Sequence, residues 1–328
     1  MASQVCLSLI KKLADGRFHS GQKLAESLGI TRAAVWKNIK CLEKMGLELN
    51  AVRGRGYQLQ HALELLDEQA IRQQLHARDI NDVQLDIYPQ VDSTNRVLLS
   101  ELEQGQSQSG HICLAESQTK GRGRRGRQWI SPFAGNIFMS ISWCYRLGPA
   151  VISGLSLALG VAVMRVLSPY TGLGLGLKWP NDIYYKEKKL GGILVEITGE
   201  SNGPCCVVAG LGINQYLPEH TSVSIEQPWI ALSQIVENET PSRNQLVSEL
   251  IQQFFNVLST FQQTGFSAYV DEWNQWDIYK NRPVTLSGVN GNLRGIASGI
   301  NTDGFLLLDT GQQIETIGSG EISLRADS

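Results

Sequence analysis

The stretch Lys120-Gly-Arg-Gly-Arg-Arg-Gly-Arg-Gln-Trp129 places five cations between Lys120 and Arg127 without one acid. Its glycines, Gly121, Gly123 and Gly126, also match the G-x-G-x-x-G spacing of a dinucleotide-binding turn. Such a turn needs a strand before it, a helix after it and an acidic residue about twenty positions on. Ile112–Ser117 reads as the strand, but Arg127-Gln-Trp-Ile-Ser-Pro132 does not open a helix, and Trp143–Arg146 holds no acid. The dinucleotide reading therefore fails on context. Anion chemistry remains: glycines let a loop wrap closely, and guanidinium and backbone N–H groups then surround negative charge. The plainer alternative is a solvated basic loop.

Three further stretches bring polar groups. Lys178-Trp-Pro-Asn-Asp182 sets Lys, Asn and Asp at the end of an apolar run, where Trp179-Pro180 blocks helix continuation. Lys189-Leu-Gly-Gly-Ile-Leu-Val-Glu196 puts a lysine before a buried strand, and its paired glycines suggest close approach of backbone to a ligand. Val91-Asp-Ser-Thr-Asn95 clusters short hydrogen-bonding side chains. Each alone also reads as a turn or a cap. The five histidines are scattered without H-x-x-x-H spacing, which argues against a metal site built by the protein.

The elements that must position these residues are legible in outline. Cys6–Leu13 and Ser20–Leu28 are predicted helices, the second closed by Gly29. Thr31 caps a third, Arg32–Met45, in which Val35, Ile39 and Leu42 face inward at helical spacing. The opposite face offers Arg32, Ala33, Trp36, Lys37 and Lys40, the surface of a recognition helix, with Gln22 on the preceding helix. Leu49–Leu59 reads as a β-hairpin with a basic tip at Arg53 and Arg55, making the whole a winged helix-turn-helix. Residues 31–60 carry six Lys/Arg against two Glu, so DNA is the expected partner; a solvated three-helix unit is the alternative. Asp67 is expected to cap a connecting helix from Glu68 to Leu75. Strands are predicted at Val83–Tyr88, His111–Glu116, Asn136–Trp143, Gly192–Ile197 and Cys206–Leu211, with helices at Val151–Leu167 and Gln245–Gln263. This is α+β rather than strict alternation. Short Gly/Asn/Asp-punctuated strands at Arg282–Leu286, Leu293–Ala297 and Gly304–Asp309 predict a small β-barrel. The expected units are 1–64, 65–275 and 276–328.

Bulk properties fit this division. At 328 residues the chain is long for one domain, and its net charge of −2 confines any nucleic-acid affinity to local patches. The six cysteines show no C-x-x-C pair or dense framework, so reduced thiols in a cytoplasmic protein are expected. Val151–Leu167, broken by Arg165, is too short to cross a bilayer.

The order DSTN, GRGRRGRQW, KWPND and KLGGILVE resembles that of biotin–protein ligases, and the winged helix in front resembles their bifunctional type, which also represses the biotin operon. The resemblance spans nearly the whole chain and implies a class II synthetase-like central domain and an SH3-like C-terminal barrel. It implies formation of biotinyl-5'-AMP from biotin and ATP with Mg2+, then transfer to a lysine of biotin carboxyl carrier protein. It also implies operator DNA as a partner and a homodimer when the adenylate is bound. Carboxylate meeting triphosphate sets like charges together, at a cost of about 4 kcal/mol for one pair roughly 4 Å apart. That is a physical reason for arginines. No protein nucleophile is required, because the substrate's own carboxylate attacks.

The resemblance further implies roles by residue. Ser93, Thr94, Asn95 and Gln118 hold the ureido ring. Gly121, Arg122, Gly123 and Arg124 wrap the biotin tail, and Lys189 meets the carboxylate and phosphate. Arg122, Arg124, Arg125, Trp129, Asn181, Asn214 and Trp229 contact the nucleotide, with Trp229 as an adenine stacker. Lys189, Asp182 and Arg124 are the catalytic candidates, with Asp182 positioning or deprotonating the acceptor lysine. Two rivals are a biotin-sensing transcription factor without ligase turnover and a lipoate-type ligase.

Overall fold

The computed structural model describes residues 4–199, 203–217, 225, 227–236, 240–288, 291–318 and 323–326. The chain opens with α1 (Gln4–Leu13), α2 (Gly21–Leu28) and α3 (Arg32–Lys44). Ser20 caps α2 by accepting from the Lys23 N–H at 3.1 Å, and Gly29 closes it in the left-handed region at φ 63°. Thr31 caps α3 by accepting from the Ala34 N–H at 3.1 Å, so its hydroxyl serves the helix first. Val35, Ile39 and Leu42 are buried, as the spacing predicts. The wing follows as antiparallel β1 (Leu49–Val52) and β2 (Gly56–Leu59). Gly56 lies at φ +104°, and a Cβ there would sit 2.0 Å from the His19 carbonyl oxygen. Only glycine lets the wing pack so closely on the segment leading into α2.

The winged-helix core, built on Leu9, Ile10, Leu13, Val35 and Leu42, also takes in Phe133 and Ala134 from the segment after the arginine loop. A polar hub ties the same junction. Glu64 accepts from Ser242 Oγ at 2.6 Å and Asn244 Nδ2 at 2.7 Å. Arg243, 2 % exposed, donates to the Asn136 carbonyl and to the Glu116 carboxylate, which also accepts from the Leu66 N–H. A buried guanidinium is tolerated here because its donors are met.

After α4 (Glu68–His76), capped by Asp67, comes β3 (Leu85–Tyr88) and then α5 (Thr94–Glu103). The central sheet continues with β4 (Ile112–Ala115) and β5 (Ile137–Tyr145), and α6 (Leu155–Thr171) follows. Next are β6 (Leu175–Lys178), β7 (Asp182–Tyr185), β8 (Lys188–Gly199) and β9 (Cys205–Ile213). The order is β3-β4-β5-β9-β8-β7-β6, parallel only between β3 and β4. One face carries Ile112, Leu114, Met139 and Ile141 into the main core with α6 and α7 (Arg243–Thr264). On the other face, Cys113 and Val208 pack under Leu98 of α5. Alternating strand residues thus serve two layers, as an antiparallel sheet covered on both faces requires. The predicted strands and the two long helices are present; α5 and the β6–β7 hairpin were not foreseen.

Two cysteines depart from the expected reduced state. Cys144 and Cys206 are register partners on β5 and β9 and are joined by a disulfide. They lie 62 residues apart in sequence, so only strand register reveals the pair. Cys41, Cys113 and Cys205 are outside the disulfide, as is Cys6, whose Sγ donates to Asn38 Oδ1 at 3.0 Å.

Beyond α8 (Val270–Trp276), β10 (Pro283–Gly288), β11 (Gly291–Ile300), β12 (Leu306–Asp309), β13 (Ile314–Ile317) and β14 (Ser323–Ala326) form one small antiparallel sheet. It docks on the KWPND turn: Trp179, 2 % exposed, donates Nε1–H to the Gly304 carbonyl at 3.1 Å. Asp277 sits at this joint with one carboxylate oxygen lacking a hydrogen-bond partner, and burial pushes its carboxyl up to about 6 from 3.8. A raised folded-state value means stability present at low pH is lost as pH climbs through that window. Asp277→Asn is therefore expected to gain Tm over the parent between about pH 4 and about pH 7, followed by calorimetry. A Tm difference that stays constant across the window would reject the assignment.

No helix among the described residues is long and apolar enough to cross a membrane.

Candidate functional site

The pocket, about 120 Å³, opens on the α5 face of the sheet and is lined by residues from all four motifs. DSTN forms the head of α5: Ser93 is its N-cap residue, and Ser93, Thr94 and Asn95 are each buried. The Thr94 N–H donates to Gln118 Oε1 at 2.9 Å. Ser140 Oγ, from β5, donates within 2.7 Å of Thr94 Oγ1 and 2.6 Å of Asn95 Oδ1. Asn95 Nδ2 donates to the Leu194 carbonyl and to Glu196 Oε2, at 3.1 and 2.9 Å. Such short polar groups, fixed by one another, suit a small polar ring. A Cβ at Gly210 would lie 2.0 Å from Asn95 Oδ1, so the sheet must be bare there.

The arginine loop is a tight hairpin. Trp129 N–H donates to the Gly121 carbonyl at 2.9 Å, and Gly123 N–H to the Arg127 carbonyl at 2.7 Å. Arg125 turns the tip at φ 58°. The loop's cations differ in their surroundings. Arg122 pairs with Glu196 at 2.9 Å. Burial draws the Arg124 guanidinium below its ordinary range, against the pull of the Asp182 carboxylate. Arg125 and Arg127 are exposed. Trp129 lines the pocket with its buried Nε1–H lacking a hydrogen-bond partner, and its ring lies 5.5 Å from Lys189 Nζ.

KWPND is the turn of the β6–β7 hairpin, and Asp182 begins β7 where it faces β8. Lys189 Nζ lies 2.8 Å from Asp182 Oδ1, both side chains largely buried. Asn181 Nδ2 donates to the Ile193 carbonyl, so its amide braces β8. Arg122, Gly123, Arg124, Trp129, Asn181, Asp182 and Lys189 all line the pocket with Ser93, Thr94, Asn95 and Gln118; Gly121 and Arg125 line an adjoining outer cavity. Asn214 and Trp229 do not line the pocket. Asn214 is 5 % exposed and donates to the Ile230 carbonyl, while Trp229 lies in a short bridge beside Lys189. Reading by residue type missed Ser140, Glu196, Leu194, Gly210 and Gly212. The glycines of Ala209-Gly-Leu-Gly-Ile213 were the available signal.

Among the described residues, one group has metal-ligand chemistry, Asp86, Glu101 and His111. It lies apart from the pocket lining, and each ring nitrogen of His111 already faces a carboxylate. It reads as a polar cluster around the buried His111 ring.

A second surface lies on the winged helix. Gln22, Arg32, Ala33, Trp36 and Arg53 line one shallow cleft between α2, α3 and the wing. Trp36 is 57 % exposed, an unusual cost for an indole facing water. Lys37 is exposed, Lys40 pairs with Glu43 at 2.7 Å, and the Arg55 guanidinium stacks over Phe18.

Comparison with known proteins agrees with this division. The signature of the Biotin/lipoate A/B protein ligase family matches residues 87–214, an HTH domain matches 7–58, and a Biotin protein ligase C terminal domain matches 280–325. The chain is 41% identical over 98% of both chains to the "Bifunctional ligase/repressor BirA" of Salmonella typhimurium. It is 39% identical, at the same coverage, to that of Escherichia coli. Among solved structures it is similar to the biotin protein ligase of Aquifex aeolicus in complex with biotin and ATP. That likeness has TM-score 0.62 and 30% identity, covering 74% of this chain and 99% of that one.

Proposed function

Because the chain belongs to the biotin–protein ligase family, alongside the bifunctional ligase/repressors, we propose that it forms biotinyl-5'-AMP from biotin and ATP, passes the biotinyl group to a lysine of biotin carboxyl carrier protein, and represses transcription through its winged helix. The observation that carries the ligase half is the convergence of the α5 head, the arginine loop, Asp182 and Lys189 on one pocket. The polar cradle of Ser93, Thr94, Asn95 and Gln118 holds the ureido ring. Lys189 and Arg124 lie at the other end, where carboxylate and phosphate meet and negative charge builds in the transition state. Trp129 Nε1–H is available to a ligand oxygen. Asp182 is the carboxylate of the pocket lining; it orients Lys189 and is placed to receive the acceptor lysine's proton. A magnesium ion arriving with the triphosphate would be held on the same side by Asp182 and would neutralise phosphate charge. Asn214 and Trp229 act beside Lys189, bracing the strand that carries it.

The test is to mix the protein with biotin, ATP, magnesium and a carboxyl-carrier domain and weigh the carrier. A gain of one biotinyl group supports the reading. Pyrophosphate release without transfer would favour a sensor, and transfer of lipoate in competition would favour the lipoate branch.

The adenylate-bound protein is further proposed to dimerise, so that paired winged helices meet two half-sites. Gel filtration should show a larger species only with biotin plus ATP; a monomer in both conditions counts against it. Trp36→Ala is expected to weaken operator binding roughly tenfold, the scale of one lost groove contact. It should leave ligation unchanged. Lys40→Ala should do less, because Lys40 is already paired. Equal operator affinity of Trp36→Ala and parent in a gel-shift titration would move the DNA surface elsewhere.

A further inference from the structure

Glu196 has no part in the roles above, yet three elements of the site meet on its carboxylate. It lies on β8, with Leu194 on the same strand lining the outer cavity beside it. One oxygen accepts from Asn95 Nδ2 at the head of α5, at 2.9 Å; the other pairs with Arg122 Nη2 of the arginine loop, also at 2.9 Å. The Glu196 side chain is 19% exposed and that of Arg122 46%. The pair is therefore shielded on one side, with an open flank toward solvent.

Charge placement explains why an acid is tolerated in a site for anions. β8 carries Lys189 near its start and Glu196 seven residues on; the Lys189 ammonium leans to Gly192, which leaves four residues, about 13 Å of extended strand, between that point and Glu196. Lys189 and Asp182 mark the reacting end. Glu196 lies at the opposite end, beside Asn95. It pairs with Arg122 of the loop, while Arg124 lies under the pull of Asp182.

We propose that Glu196 is a positioning residue that fastens the arginine loop over the pocket, by tying Arg122 of the loop to Asn95 at the head of α5. The loop's glycines permit opening, and one ion pair resists it. The fastener reads the floor of the ureido cradle as well, since the same carboxylate orients Asn95. Its catalytic consequence, retention of the adenylate, rests on the ligase reading; the loop closure itself does not.

Glu196→Gln keeps an oxygen for Asn95 and removes the charge that Arg122 needs. Trypsin cleavage of the ligand-free protein at Arg122, Arg124, Arg125 and Arg127 should then accelerate by about fivefold, the scale of one part-exposed ion pair. Glu196→Asp should fall between the two. In the charged enzyme, Glu196→Gln should release labelled biotinyl-adenylate about fivefold faster. Salt should speed release from the parent more than from the variant. Arg122→Gln should match Glu196→Gln in cleavage at Arg124, Arg125 and Arg127, and the double variant should be no worse than either single. Should Glu196→Gln fail to fold, Arg122→Gln reads the same pair from its exposed side. Parental cleavage and release rates in both single variants, or additive effects in the double, would overturn the proposal. If the parent makes no adenylate, the ligase reading fails and the trypsin comparison still decides the fastener.

Discussion

Lys189→Ala is expected to lower kcat/KM for adenylate formation by roughly a hundred- to a thousandfold, the range for losing one preorganised electrostatic contact to developing charge. The ammonium lies 2.8 Å from Asp182 and over the Trp129 ring, with its side chain only 13% exposed. A lysine so enclosed is positioned before substrate arrives. Its charge therefore acts on the transition state without reorganisation. Enclosure has a second consequence: the alanine variant strands the Asp182 carboxylate, itself 16% exposed, and will lose stability as well. Lys189→Ala/Asp182→Asn separates the two effects. The added substitution should recover Tm and leave adenylation no faster than in Lys189→Ala, read by biotin-dependent pyrophosphate exchange. Recovery of the rate along with the Tm would mean that Lys189 acts through folding alone.

The parts legible in the sequence were those whose signal is local. The caps at Thr31 and Asp67, the inward positions of α3 and the glycines of the wing are all set by residues within a turn or two of one another. The arginine loop, KWPND and the strand after Lys189 were legible because a dense cation run, a Trp-Pro turn and a Gly-Gly step are uncommon and chemically pointed. What escaped depends on register across the sheet. Ser140 meets Thr94 and Asn95 only because β5 lies beneath the head of α5. Cys144 and Cys206 are bonded only because β5 and β9 pair in that frame. Glu196 gained its partners from a helix and a loop that are distant in sequence. The head of α5 escaped for a different reason: Asp92-Ser-Thr-Asn95 read as a cluster of hydrogen-bonders, and the same residue types serve as helix caps. Trp179 was grouped with the site by its motif, whereas the fold uses its indole to seat the C-terminal sheet.

Arg124→Gly is expected to leave adenylate formation measurable while raising the rate of adenylate release by about ten- to a hundredfold, the equivalent of one hydrogen bond to a charged group. The reasoning turns on the differing surroundings of the loop's arginines. Arg122 is committed to Glu196, and Arg125 and Arg127 face solvent. Arg124 is drawn inward, where burial lowers its pKa, with Asp182 as the nearby acid. An arginine held inward beside Asp182 is placed, on the proposed reading, to meet the phosphate of the adenylate. Release of labelled adenylate into excess unlabelled biotin and ATP measures the effect, with Arg124→Ala separating loss of the cation from added backbone freedom. The ligand then discriminates the two loop residues. Opening the fastener in Glu196→Gln should hasten departure of biotin and adenylate alike, since it acts on the lid. Losing Arg124 should hasten the adenylate more than biotin, which carries no phosphate. If Arg124→Gly holds the adenylate as long as the parent does, the inward arginine is a structural cation and the phosphate is held by other groups.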